Sequence, residues 1–194
     1  MKLKGFTLIE LAVVLAIIAV LAAVLTPMVM NYTEQGRVAR AQADVRTIAD
    51  AVRLYQRDTG RWPVYDSSAT YTSATAAATV IGSSQGSNPA NGTATWNVAG
   101  VIGTTSLELF LNNNYSSVPT NAFPKTRFNG PYLGTVDSDP WGNKYLLTSG
   151  NLAGSANHVY AISAGPNGVL DTTLNVPVAN TLTPGGDDLI SMIR

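Results

Sequence analysis

At 194 residues the chain is long enough for one globular domain and one further element, yet only 12% of it is charged, roughly half the usual share for a soluble domain. Twelve Lys and Arg cancel twelve Asp and Glu, and no basic cluster follows the first helix, so nucleic-acid binding is not expected. The absence of cysteine excludes disulfides, thiol nucleophiles and Cys-based metal sites, and His158, the single histidine, argues against His-rich metal or relay chemistry.

Charge is unevenly placed. No charged residue occurs from Leu11 to Thr33. At about 1.5 Å per helical residue that run spans roughly 35 Å, enough to cross a bilayer core of about 30 Å. Lys2 and Lys4 precede the run and no lysine closely follows it. The positive-inside rule then leaves the short N-terminus in the cytoplasm and the rest of the chain outside. A cleaved signal peptide is the alternative, with Val20-Leu21-Ala22 as its cut site. Against it, the apolar run exceeds the usual h-region of about 7–15 residues and has Glu10 inside its start.

A carboxylate at the edge of the bilayer core costs a few kcal/mol unless paired. Glu10 either stays solvated at the headgroups or meets a cation in the apolar phase. Cleavage between Gly5 and Phe6 would create such a cation, the α-amino group of Phe6. Within one helix that amine does not readily reach the Glu10 side chain, whereas a neighbouring subunit's amine can.

The segment Lys4-Gly5-Phe6-Thr7-Leu8-Ile9-Glu10-Leu11 resembles the leader of the type IV pilin superfamily. The resemblance implies cleavage by a prepilin peptidase after Gly5, N-methylation of Phe6, and assembly of copies into a helical filament. Glu10 would then pair with the Phe6 amine of the next subunit. Pro27 sits where such helices commonly carry a loosening proline. Physically, it removes one backbone donor and crowds the preceding turn, so a kink or local melting is expected near Ala23–Pro27.

Beyond the apolar run, Val38, Ala41, Val45, Ile48, Val52 and Tyr55 recur three or four apart and predict an amphipathic continuation of the helix. One helix is expected from about Thr7 to Arg57, supported by the i,i+4 pairs Arg40–Asp44 and Arg46–Asp50. Thr59-Gly60 stops it and Trp62-Pro63 starts an extended segment. Asp66 to Thr105 is rich in Ser, Thr, Ala, Gly and Asn and predicts surface loop, with short strands near Ala78–Ile81 and Thr95–Ile102. The sequons at Asn91 and Asn114 read as chance matches in an Asn-rich surface. Ser106–Leu111 predicts a short helix capped by Thr104 or Thr105. Strands are expected at Lys144–Thr148, at His158–Ser163 and in the tail Asp188–Arg194. The fold class is α+β, a long N-terminal helix packed on a small antiparallel sheet.

Two polar constellations close the chain. Asp139-Pro140-Trp141-Gly142-Asn143-Lys144-Tyr145 reads as a structural corner entering a strand, in preference to a ligand site. Ala164-Gly165-Pro166-Asn167-Gly168, Asp171 and Gly185-Gly186-Asp187-Asp188 place hard oxygen ligands on Gly-rich loops, which suits Ca²⁺. By spacing alone a solvated acidic turn is the better reading, since no EF-hand pattern is present.

These blocks, with Leu54-Tyr55, Asp58-Thr59-Gly60-Arg61-Trp62-Pro63 and Asn129-Gly130-Pro131-Tyr132-Leu133, occur in an order that resembles the major pseudopilin of type II secretion systems. Asp66–Thr105 lies outside the resemblance. It implies a calcium ion in the last loop, held by the Ala164 carbonyl, Asn167, Asp187 and Asp188. Asn167 stands where the family usually has Asp, the stretch Val169–Pro184 is longer than usual, and Asp171 can replace the missing charge.

The organisation implied is a leader at 1–5, a membrane-spanning and filament-core half-helix at 6–33, an amphipathic half at 34–58, and a periplasmic or extracellular domain at 59–194 with its variable loop at 66–105. The expected role is structural: a non-catalytic pseudopilus subunit that assists protein export and is driven by a cytoplasmic ATPase. Its expected partners are the peptidase, minor pseudopilins or pilins, and an inner-membrane assembly platform. Before assembly it would sit in the inner membrane as a single-pass protein with its C-terminal domain in the periplasm; as a filament it would be periplasmic or at the cell surface. A surface type IV pilin for adhesion, motility or DNA uptake shares the same N-terminus. A membrane-anchored enzyme would have to work with scattered Asp and one His, without a paired acid and base.

Overall fold

The computed structural model describes residues 5–60, 62–63, 80–92, 96, 106–113, 128–152 and 156–194. It comprises two compact units, Met1–Ala39 and Arg40–Arg194. The long helix α1, Leu8–Thr59, contributes to both.

In the first unit no residue from Leu8 to Thr33 is buried, so the apolar surface of this helix is bare. Its length and apolarity suffice to cross a membrane. Pro27 lies within α1, which continues on both sides of it, and the expected local melting does not break the helix. Loss of one backbone donor leaves the flanking turns bonded. The Thr26 hydroxyl also donates to the Ala22 carbonyl at 2.7 Å beside the gap.

The second unit is built on the other half of α1. Ala41, Val45, Ile48, Ala49, Ala51, Val52 and Tyr55 are buried on one face, the stripe that the spacing predicts. Gly60, at φ 73°, ends the helix in the left-handed region that glycine adopts without strain. The stripe packs on a four-stranded antiparallel sheet in the order β1–β3–β4–β6, with β1 at Ile81–Gly82, β3 at Leu146–Leu147, β4 at Tyr160–Ser163 and β6 at Leu189–Met192. The α+β expectation therefore holds.

The weak alternation along His158–Ser163 has a simple cause: both faces of β4 are covered. Val159 and Ala161 join the core against α1, while Tyr160 and Ile162 join a second core with Trp96, Leu170, Leu174 and Leu182. A parallel pair, β2 (Ala90–Asn91) with β5 (Val169–Leu170), lies outside the main sheet and was not expected.

Several local expectations need correction. The strand expected at Lys144–Thr148 shrinks to two residues, because Lys144 bonds across to Ser87 and the chain turns at Ser149–Leu152. Helix α2, Leu107–Asn113, is capped by Ser106, whose hydroxyl accepts the Leu109 N–H at 3.3 Å; Thr104 and Thr105 lie outside the described residues. Asp50 pairs with Arg53 at 2.7 Å, one turn on, in place of Arg46. The Arg40–Asp44 pair forms at 3.6 Å. Of the two strands expected before α2, β1 carries Ile81, residues 78–79 lie outside the described residues, and so does Thr95–Ile102 apart from Trp96.

Candidate functional site

At the N-terminus Gly5, Phe6 and Thr7 precede α1 in non-helical conformation, and Phe6 is 86% exposed. Thr7 caps the helix. Its hydroxyl accepts the Glu10 N–H at 3.3 Å, and Glu10 Oε2 accepts the Thr7 N–H at 2.9 Å and the Thr7 hydroxyl at 2.8 Å. This reciprocal arrangement satisfies two orphan donors of the first turn. Glu10, the odd carboxylate of the apolar run, thus has a partner within its own chain. Sequence reasoning overlooked Thr7, although Thr-x-x-Glu before an apolar run is the signature of such a cap.

In the second unit the C-terminal loops bring most of the predicted oxygen ligands together. The Asn167 N–H donates to Asp187 Oδ2 at 2.9 Å, and the Asn167 side-chain amide donates to Asp171 Oδ2 at 3.4 Å. Asp188 Oδ2 accepts the N–H groups of Asp171 and Thr172 at 2.9 and 2.6 Å. Ala164, fully buried, leads into Gly165, whose Cα stands so close to the Asp187 backbone carbonyl that no Cβ fits. Gly165 and Gly168 both take positive φ, 66° and 68°, and this lets the turn close over the second loop.

One oxygen of each adjacent carboxylate is left over. Asp187 Oδ1 and Asp188 Oδ1 are buried without a hydrogen-bond partner. Burial pushes the Asp188 carboxyl above its usual range and the Asp171 charge adds to this, against bonds from Thr172 and Asp171 that lower it. Among the described residues no three His, Cys, Asp or Glu side chains gather into a metal cluster. An ion here would therefore draw on amide and backbone oxygens too, as the Ca²⁺ preference for about six to eight oxygens allows. Two orphaned, buried, anionic oxygens fit a hard cation in chemistry. Thr172, 1% exposed, was not anticipated; it holds Asp188 by its N–H and Gly185 by its hydroxyl, which accepts the Gly185 N–H at 2.9 Å. Nothing in its local sequence marks it.

The Asp139 block is a structural corner, as expected. Asp139 is 2% exposed and fully engaged: Oδ1 accepts the N–H groups of Trp141 and Asn143 at 3.1 and 2.7 Å, and Oδ2 accepts the Ser163 hydroxyl at 2.8 Å. Ser163 Oγ in turn accepts the Gly165 N–H at 3.3 Å. The corner thereby braces the turn that starts the carboxylate loop. Trp141 is partly buried against the main core. His158 is buried, with Nε2 on the Asn180 carbonyl at 2.9 Å.

Comparison with known proteins bears on the N-terminus and on the chain as a whole. The model of the prokaryotic N-terminal methylation motif matches residues 1–26. The chain is 42% identical over 60 residues to the type II secretion system core protein G of Pseudomonas aeruginosa, covering 31% of this chain and 42% of that protein. It is 42% identical over 72 residues to a fimbrial protein of Neisseria meningitidis, covering 37% of this chain and 42% of that protein. These matches span about two fifths of the relatives' own length. The core protein G of Escherichia coli is 26% identical over 172 residues, which is 88% of this chain and 87% of that one. No solved structure matches. The chain thus carries the N-methylation motif of type IV pilins and is similar along most of its length to type II secretion core proteins.

Proposed function

We propose that the chain is the structural subunit of a type II secretion pseudopilus, a filament that grows from the inner membrane and assists protein export. The carrying observation is the extent of similarity to core protein G, 87% of the E. coli protein. In this reading a prepilin peptidase cuts after Gly5 and Phe6 is methylated. The bare apolar half of α1 sits in the inner membrane first and in the filament core afterwards, with residues 59–194 in the periplasm. Glu10 exchanges its cap contacts for the Phe6 amine of the next subunit. Head-to-tail packing that does not close produces the helix. The chain catalyses nothing, and it meets minor pseudopilins and an inner-membrane platform during assembly.

The same reading places Ca²⁺ in the carboxylate loop, with Ala164, Asn167, Asp171, Asp187 and Asp188 as its residues. The two unpartnered carboxylate oxygens support this. When bound, the ion would neutralise adjacent like charges that otherwise repel. The loop's own N–H groups already orient the carboxylates.

A surface pilin is the second reading, favoured by the 42% identity to the fimbrial protein. Deleting the chain from its host separates the two. The pseudopilus reading expects exported proteins to accumulate in the periplasm while surface fibres seen by electron microscopy persist. Loss of surface fibres with export intact would overturn it.

A further inference from the structure

Apart from Asp66, the stretch from 66 to 105 carries no charge. Its described part nevertheless meets the carboxylate loop at three points. The Ala90 N–H donates to the Gly168 carbonyl at 2.9 Å and the Gly92 N–H to the Leu170 carbonyl at 3.0 Å. The Trp96 indole N–H donates to the Thr172 carbonyl at 2.6 Å. Gly92 lies flush against the loop, since a Cβ there would collide with the Asp171 carboxylate and the Leu170 carbonyl. Trp96 is 1% exposed and packs edge-on to Tyr160 at 6.1 Å between ring centres, while the Tyr160 hydroxyl donates to the Thr173 carbonyl at 2.8 Å.

Thr172 is where the Trp96 contact reaches the candidate site. Its carbonyl is held by Trp96, its N–H binds Asp188 Oδ2, and its hydroxyl receives the Gly185 N–H. A buried indole donor has few ways to be satisfied, so this bond fixes Thr172 and Trp96 together. We infer that residues 90–92 and Trp96 form a built-in clamp on the carboxylate loop. In it Trp96 is the positioning residue that, through Thr172, holds Asp188 with one oxygen bonded and the other free for a ligand. The clamp stands on these contacts; that its ligand is Ca²⁺ rests on the reading above.

The test compares Trp96→Phe, Gly92→Ala and the distant core control Ile48→Val in the full chain in detergent. Amide hydrogen exchange is read at Asp171 and Thr172, which donate to Asp188, and at Ala161 in β4. Trp96→Phe should speed exchange at Asp171 and Thr172 about tenfold relative to Ala161, the change expected from losing one buried hydrogen bond. Gly92→Ala, with Trp96 intact, should shift the same amides in the same direction, and Ile48→Val should not single them out. Calorimetric titration with calcium chloride should show affinity falling in both clamp variants. If the loop amides stay protected, or move only in parallel with Ala161 in both clamp variants, the clamp is overturned. If the wild-type chain takes up no calcium, only the identity of the ligand fails, because the exchange comparison decides the clamp by itself.

Discussion

Replacing Tyr145 by Phe removes one oxygen atom and isolates one contact between α1 and the sheet. Tyr145 follows the Asp139 corner and is fully buried, and its hydroxyl donates to Asp44 Oδ2 at 2.7 Å. Asp44 also lies 3.6 Å from Arg40. A hydrogen bond to a charged acceptor contributes about 1.5–3 kcal/mol. The Asp44 side chain keeps 35% of its exposure, so water can replace the lost hydroxyl, and the cost should fall to about 1–2 kcal/mol. For a unit the size of Arg40–Arg194 that is a drop in Tm of roughly 3–6 °C. A double-mutant cycle with Asp44→Ala, read by chemical denaturation in detergent, should return a coupling of about 1 kcal/mol or more.

The pH dependence supplies a second readout. Burial first, then the bond to Asp44, push the Tyr145 phenol well above its ordinary value of 10.0. A folded-state pKa raised above the unfolded one contributes stability that is whole below pH ~10 and is lost as pH climbs through the folded value. Phe at position 145 should flatten that alkaline loss. It should not abolish it, since burial raises Tyr132 and Tyr160 as well. A coupling near zero together with an unchanged alkaline slope would refute the reasoning, because the hydroxyl would then be worth no more than its contact with water.

Asp139→Ala strips three donors of their acceptor and should cost about 2–4 kcal/mol in equilibrium unfolding, with Asp139→Asn far milder because the amide oxygen can keep the Trp141 and Asn143 bonds. Thr7→Val should speed exchange of the Glu10 amide about fivefold, as loss of a helix cap does, and Thr7→Ser should restore it. Replacing Gly5 with a bulky residue should leave the chain at its precursor mass in whole-cell mass spectrometry; a mature product of unchanged mass would remove the leader assignment. Chelating calcium should lower the Tm by roughly 5–10 °C if the ion is held at about a hundredfold above its Kd, and Asp187→Ala should erase that shift. No shift with the ion confirmed removed would count against a structural site.

Much of the site was legible because its signals are local. Glu10 stood out as the single charge in an apolar run, and the Gly-rich turns around Asn167 and Asp187 announced conformations that only glycine takes easily. The role of Thr7 was readable too, since a cap spans only one turn. Thr172 and Trp96 were not readable. Each sits in a Thr-rich or neutral stretch, and each acquires its role from a partner many residues away, Trp96 from Thr172 and Thr172 from Asp188.

The sequence alone determined α1, its apolar and amphipathic halves, its stop at Gly60 and the turn chemistry near the C-terminus. Helical periodicity and glycine conformation act over a few residues, and no distant contact is needed to impose them. Tertiary structure decided which sheet faces are buried, why β4 hardly alternates, and where the neutral stretch before α2 docks. It also decided the state of the two adjacent carboxylates. Asp187 and Asp188 read as a solvated acidic turn until the fold buried one oxygen of each without a donor. Burial is a property of everything packed around a group, and no spacing in the chain encodes it.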